Sequence, residues 1–369
     1  MLLLNVVILA TGNSYLYKAV YYNLANIDDN KIFDNRIIAN GNETQEWPTG
    51  KDYNTARMPE FLSSELTKLQ SIAYLIIKDD SIRYEKYWDG YNADKLSASF
   101  SMAKTFVSIL TGIALDEGKI KSLDEPVGDF LPEFKQGENE KVTIRHLLTM
   151  SSGLNWDESY INPFSKTTKA YYGNDLYSLV SDLKVVEEPG KTFKYLSGNT
   201  QVLAFVLEKA TGKKLSDYAS EKLWIPMGAT HAAEWNLDKK DGTEKAYCCF
   251  YSNARDFARF GKLYLNKGKW GTHQLVSEKY VEESIVPANL VYEDGRKNSC
   301  YGYSWWLLPK YKGHAVFYAR GILGQYIIVI PDKKMIIVRL GKKRGAKDPN
   351  DKHIPDVYTY INGALEMYK

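Results

Sequence analysis

Apolar residues recur at helical spacing through Phe106, Val107, Ile109, Leu110, Ile113 and Ala114, and Gly118 with Lys119 reads as the stop. The pattern predicts a helix buried on most of its faces, with Ser101 and Lys104 in its first turn. Upstream, residues 15–60 are polar, aromatic and turn-rich, which predicts an extended arm packed across the body. A short helix is expected over 63–70. The apolar runs 73–77 and 82–88 flank Asp79-Asp80 and read as a hairpin leading to the Ser101 helix. Downstream, Thr143 caps a helix expected to end at Gly153, and the run from Val202 to Leu207 stops at Gly212. From about residue 240 helices (254–266, 277–284) alternate with strands at 303–307, 315–319, 326–330 and 335–339. The last two strands are joined by a turn at 331–334, and a final helix runs from Asp356 towards Met367. Strands at both ends and helices between them predict an α+β fold, an antiparallel sheet flanked by helices. A helical lobe over about 105–235 is inserted into it, and the domain covers 61–369, behind an N-terminal arm at 1–60. No internal repeat interrupts this reading.

Composition narrows the classes of function. The chain has 369 residues, 44% hydrophobic and 25% charged, with a formal net charge of +3. That balance gives no electrostatic case for a nucleic-acid partner. Three cysteines, two of them adjacent (Cys248, Cys249), form neither a CxxC pair nor a disulfide framework. They read as small buried hydrophobes, with Cys300 in a polar loop and open to exposure. No His/Cys/carboxylate spacing suggests a metal, and no cofactor is implied. The apolar stretch at 2–10 is too short to span a bilayer and lacks preceding basic residues. It reads either as the remnant of an export signal or membrane anchor, or as a first strand. Export to the periplasm or cell envelope is the preferred expectation.

The candidate chemistry lies at Ser101-Met102-Ala103-Lys104. An i,i+3 pair shares one helix face, so the amine sits beside the hydroxyl. A half-buried lysine can lose its charge and take the serine proton. The same spacing recurs at Ser181-Asp182-Leu183-Lys184, in a polar stretch with no buried helix behind it, and that copy reads as a solvated face. His146, inside an amphipathic helix, reads as a packed structural residue. Gly190-Lys191-Thr192 lacks the first glycine of a phosphate loop, because Val185 stands there. No Gly-x-Ser-x-Gly elbow supports an α/β-hydrolase.

Five segments in order carry a resemblance: 101–104, 142–154, Tyr195 to Thr200, 254–261 and 321–325. Over roughly residues 70–345 the chain resembles the serine β-lactamase and penicillin-binding-protein superfamily. The likeness is to its class C-like branch, which includes carboxylesterases, D-amino-acid peptidases and nylon-oligomer hydrolases. The resemblance implies an acylated Ser101, an adjacent Lys104, and Tyr195 as general base and acid with its pKa lowered by a cationic Lys104. Ser197 replaces the asparagine of the family's Tyr-x-Asn and is left to bond Lys104 or substrate. Ala319-Arg320-Gly321 replaces Lys-Thr-Gly. Gly321 allows close approach of substrate, and the backbone N–H groups of Ser101 and Ile322 form an oxyanion hole. Arg320 either meets a substrate carboxylate or points away. Tyr160 resembles the tyrosine by which nylon-oligomer hydrolases grip an amide, and Trp156, Trp305 and Trp306 either line the pocket or pack.

The implied function is a metal-independent serine hydrolase acting on a small ester, amide or peptide. The alternatives are a true β-lactamase or D-peptide hydrolase, and a non-catalytic binder of cell-wall fragments. The lost lysine argues against an efficient β-lactamase. Retention of Ser101, Lys104 and Tyr195 argues against the binder.

Overall fold

The computed structural model describes residue 8 and residues 10–369. Apart from residues 8 and 10, the apolar 2–10 stretch lies outside the described residues. Among those described, no helix is long and apolar enough to cross a membrane.

The central layer is a six-stranded antiparallel sheet, in the order Ser81–Tyr87, Ser71–Lys78, Met335–Gly341, Gln325–Ile330, His314–Gly321, Trp306–Tyr311. Its inner strands are buried on both faces, so their sequences are apolar at successive positions rather than alternating. Leu75, Ile77, Ile327, Val329, Ile336 and Val338 join the main core on one face. Ile76, Ile328, Ile330 and Ile337 join the second core on the other face, with Leu62, Tyr360 and Ile361. The helices Glu60–Lys68 and Asp356–Met367 cover that second face, and Ala254–Leu265 lies on the first.

The Ala254–Leu265 helix explains one of the motif segments. Asn253 caps it by accepting from the Asp256 N–H at 2.8 Å. Asp256 and Arg259 form a fully buried ion pair at 2.6 Å, and Arg259 also donates to the Met227 carbonyl. A Cβ at Gly261 would come within 2.8 Å of Ile336, so glycine lets the helix lie close on the sheet. Its job is packing.

The hairpin turn at Asp79-Asp80 has positive φ at both residues, 49° and 64°, as a two-residue turn between twisted strands demands. Helix ends at Gly118 and Gly212 fall in the left-handed region, as expected.

Several expectations need correction. The arm is not simply extended. Tyr15–Tyr22 is helical and packs against a lid helix, Lys166–Tyr172. Its aromatic, β-favouring sequence without a side-chain cap hid that, so tertiary packing decides it. Asn35–Ile38 is a strand that pairs with Ala233–Asn236 at the edge of a second, four-stranded sheet. The helix expected over 63–70 is Glu60–Lys68. The helix capped by Thr143 ends at Leu148, not Gly153, because Met150 turns the chain at φ 58°. The strand expected at 303–307 is shifted to Trp306–Tyr311, after Ser304 at φ 59°. Cys248 and Cys249 are buried as expected but bonded to each other as a vicinal disulfide. Cys300 is buried, with the Tyr292 hydroxyl 3.0 Å from its sulfur.

His146 serves a helix cap. Its backbone N–H donates to Thr143 Oγ1, and its Nδ1 accepts from the Thr143 N–H at 3.2 Å.

Candidate active site

Ser97–Ala98 is the last strand before the serine, and Phe100 bends the chain out of it with φ 44°, a conformation unusual for a non-glycine residue. Ser101 therefore sits in a tight 3₁₀ turn, Phe100–Met102, immediately ahead of the Ala103–Asp116 helix. Every residue from Ala103 to Ala114 is buried, which fixes Lys104 in the interior. Its Nζ donates to Ser101 Oγ at 3.1 Å and to the Tyr247 carbonyl at 2.7 Å. It also stands 5.1 Å from the Tyr195 ring centre. No carboxylate lies within ion-pair distance of Lys104 among the described residues. Burial pulls its pKa down to about 8, against a weaker upward pull from Glu158.

Tyr195 corrects the expectation that a cationic Lys104 lowers its pKa. Burial raises the phenol above its ordinary value, and the hydrogen bond with Ser101 opposes that only in part. The group brought nearest to neutrality is thus the amine, not the phenol. Phe193, Tyr195, Tyr301 and Trp306 pack as an aromatic cluster that holds the ring.

Ser197 opens the helix Ser197–Thr211, but its hydroxyl does not meet Lys104. It donates to Glu158 at 2.6 Å, and the Ser197 N–H donates to the same carboxylate at 2.7 Å. The Tyr160 hydroxyl donates to Glu158 as well, at 2.6 Å. Tyr160 is partly exposed, and desolvation of its hydroxyl together with the Glu158 charge pushes its pKa up.

Opposite the serine, a Cβ at Gly321 would come within 2.3 Å of the Ser99 carbonyl, so only glycine brings this strand end so close to the serine turn. Ile322 follows in the turn after the strand and borders both cavities at Ser101. Arg320 points towards the site. Its guanidinium stacks 3.7 Å over Trp306 and lines a polar cavity of about 320 Å³ with Ser101, Tyr195 and Gly321. That cavity carries five cations, Lys194, Arg320, Arg344, Lys347 and Lys352, against Glu158 and Glu293. A second cavity, of about 680 Å³, also borders Ser101 and shares Tyr160, Ile322 and Arg344 with the first.

Two of the tryptophans border neither cavity at Ser101. Trp156 is buried behind the wall of the site, donating to Thr167 and lying so close to Gly198 that a Cβ there would come within 2.5 Å of its ring. Trp305 is core, against Tyr264 and Phe317. Glu158, Tyr247 and Arg344 border the site without having been picked out from the sequence. Glu158 stood only two positions from Tyr160, and nothing in the local pattern separated it from other lid carboxylates.

The arrangement suits nucleophilic attack by a serine, and comparisons with known proteins point to serine hydrolases. A 6-aminohexanoate-dimer hydrolase from Paenarthrobacter ureafaciens is 25% identical over 82% of this chain and 79% of that protein. The solved structure of a candidate 6-aminohexanoate-dimer hydrolase from Bacillus anthracis superposes with a TM-score of 0.81 at 23% identity, covering 92% of this chain and 93% of that one. A family VIII carboxylesterase superposes at 0.67 with 16% identity, over 87% of this chain and 99% of that one. The Beta-lactamase family model matches residues 62–357. The chain belongs to the Beta-lactamase family, whose members are serine hydrolases acting on amides and esters.

Proposed function

We propose that Ser101 is the acylated nucleophile of a hydrolase for small linear amides or esters. The observation that carries this is a buried lysine without a carboxylate partner, its pKa drawn to about 8, donating to Ser101 Oγ. In its neutral form Lys104 accepts the serine proton as Oγ attacks the carbonyl carbon. The backbone N–H groups of Ser101 and Ile322 hold the oxyanion, an interaction worth about 3 kcal/mol per donor in other hydrolases. Tyr195, bonded to Ser101 and close to Lys104, passes the proton to the departing amine or alcohol. Water then attacks the acyl-serine, its proton returning along the same path to regenerate the Ser101 hydroxyl and release the acid.

Tyr160, whose hydroxyl donates to Glu158 and which borders both cavities at Ser101, supports this reading as an acceptor for the N–H of the scissile amide. Arg320 in the cationic cavity suits a leaving group that carries a carboxylate. The relative that hydrolyses a 6-aminohexanoate dimer supports a linear amide over a fused ring.

Intact-mass spectrometry of the wild type and Ser101→Ala, after a fluorophosphonate and separately after a penicillin, tests the reading. Labelling of the wild type alone by the fluorophosphonate is expected. A lasting penicillin adduct or rapid penicillin turnover would move the assignment to a penicillin-binding protein or β-lactamase, and no labelling of folded protein would remove the hydrolase mechanism.

A further inference from the structure

The cavity of about 680 Å³ beside Ser101 is walled on its outer side by Ala19, Val20, Leu24 and Ala25, from the N-terminal helix Tyr15–Tyr22 and the turn after it. This segment lies outside the family-matched residues 62–357. The facing wall is Phe100, Ile161, Pro163, Tyr171, Tyr172 and Leu323. Polar tips in this wall are turned to partners of their own. Tyr171 donates to Asp29 at 2.6 Å and Tyr172 to the Asn23 carbonyl at 3.0 Å. Thr167 and Thr168 donate to the carbonyls of Asp157 and Asn162. What remains for the lumen is mostly ring face and aliphatic carbon, the surface that favours an apolar occupant. Tyr247 and Arg344 are exceptions: the buried Tyr247 hydroxyl has no partner among the described residues, and Arg344 borders this chamber as well as the cationic cavity.

Orientation follows from where the proton-carrying group stands. Tyr195 borders the cationic cavity and not the apolar one, so a leaving group protonated by Tyr195 departs on the cationic side. The acyl portion is left on the apolar side. We infer that this chamber is an acyl-chain site, and that the substrates are esters or amides of medium-length, unbranched apolar acids. Its mouth agrees with this: Val20, Leu24 and Ile161 are 80%, 62% and 89% exposed at the rim. Such a rim favours entry of a chain over a compact polar acyl group.

The inference rests on Ser101 as nucleophile, and its test separates the two. The 369-residue chain is assayed with methyl acetate, butyrate, hexanoate, octanoate and decanoate, and with nonyl acetate, an isomer of the decanoate. Fluorophosphonate labelling of Ser101 runs in parallel. We expect kcat/KM to rise roughly twofold or more per added methylene through octanoate, since each buried methylene contributes favourable transfer energy. Methyl decanoate is expected to exceed nonyl acetate about tenfold or more on the same basis. Ala19→Trp, which fills the chamber, and Leu24→Asp, which makes its rim polar, are each expected to lower the decanoate-to-butyrate ratio. If Ala19→Trp does not fold, Leu24→Asp and the wild-type series still decide. A flat series or a preference for nonyl acetate, with Ser101 labelled, overturns the acyl site and leaves the hydrolase standing. Absent labelling on folded protein overturns the nucleophile itself.

Discussion

The chain holds two Ser-x-x-Lys quartets, and their difference shows where the chemistry comes from. At Ser101 the quartet begins a helix buried along its length, and Lys104 Nζ lies 3.1 Å from the hydroxyl with no acid within ion-pair distance among the described residues. At Ser181 it straddles the end of a six-residue helix, Leu176–Ser181. That helix comes before the quartet, and no buried helix runs on from Lys184, as expected. Ser181 donates back to the Tyr177 carbonyl, and Lys184 is exposed past the helix end. Spacing is shared; desolvation of the lysine and its bond to the serine hydroxyl are not.

Removing the nucleophile is the largest test of that contrast. Ser101→Ala should lower kcat by on the order of 10⁴ or more, whereas Ser181→Ala should stay within about twofold, as surface substitutions do. Steady-state kinetics on the best ester from the chain-length series would read both, and equal losses would erase the distinction. Lys104→Met comes next, at roughly 10³ in kcat for loss of a proton acceptor. The same change takes an amine without an ion-pair partner out of the core, so Tm by calorimetry should rise while activity falls. Lys184→Met should alter neither.

Gly321→Ala asks whether the surroundings matter as much as the pair. The added Cβ meets the Ser99 carbonyl at 2.3 Å, displacing the strand end that carries Ile322. A loss of about 10² in kcat is expected, comparable to losing one oxyanion donor. A smaller effect belongs to pH. In the proposed mechanism Lys104 acts as a base when unprotonated, and its pKa is drawn down to about 8, so the rate of fluorophosphonate labelling should rise with pH through a midpoint near 8. Glu158 raises that pKa, so Glu158→Gln should move the midpoint to lower pH. A midpoint that stays put would separate Glu158 from the lysine and leave it with Ser197 and Tyr160 alone. The smallest effect is expected at His146→Ala, about 1 kcal/mol of stability from the lost cap with kcat unaffected.

Legibility in the sequence followed the range of the interactions involved. Ser101, Lys104 and the helix behind them were readable because periodicity and an i,i+3 spacing are local. The hairpin at Asp79-Asp80, the final helix and the β-rich end were readable for the same reason. His146 was read as a structural residue inside an amphipathic helix, and its bonds to Thr143 fit that reading. Glu158 was not readable, because its partners lie at Ser197 and Tyr160 and only the fold brings Ser197 to it. The raised pKa of Tyr195 depends on burial by Tyr301 and Trp306, more than a hundred positions away in the chain. The bond between Cys248 and Cys249 could not be told from two buried thiols by spacing. The N-terminal helix was missed because its stability comes from the lid it packs against.

The strand Asn35–Ile38 has a further consequence for anyone handling this chain. It caps the small sheet by pairing with Ala233–Asn236, which is joined through Phe250–Ser252 to Ser97–Ala98 beside the serine. A version trimmed to begin near residue 60 would leave the Ala233–Asn236 strand with a row of unanswered amide and carbonyl groups facing solvent. Uncovered edges of this kind recruit strands from other molecules. Such a truncation is therefore expected to precipitate or self-associate before any change in its turnover could be measured.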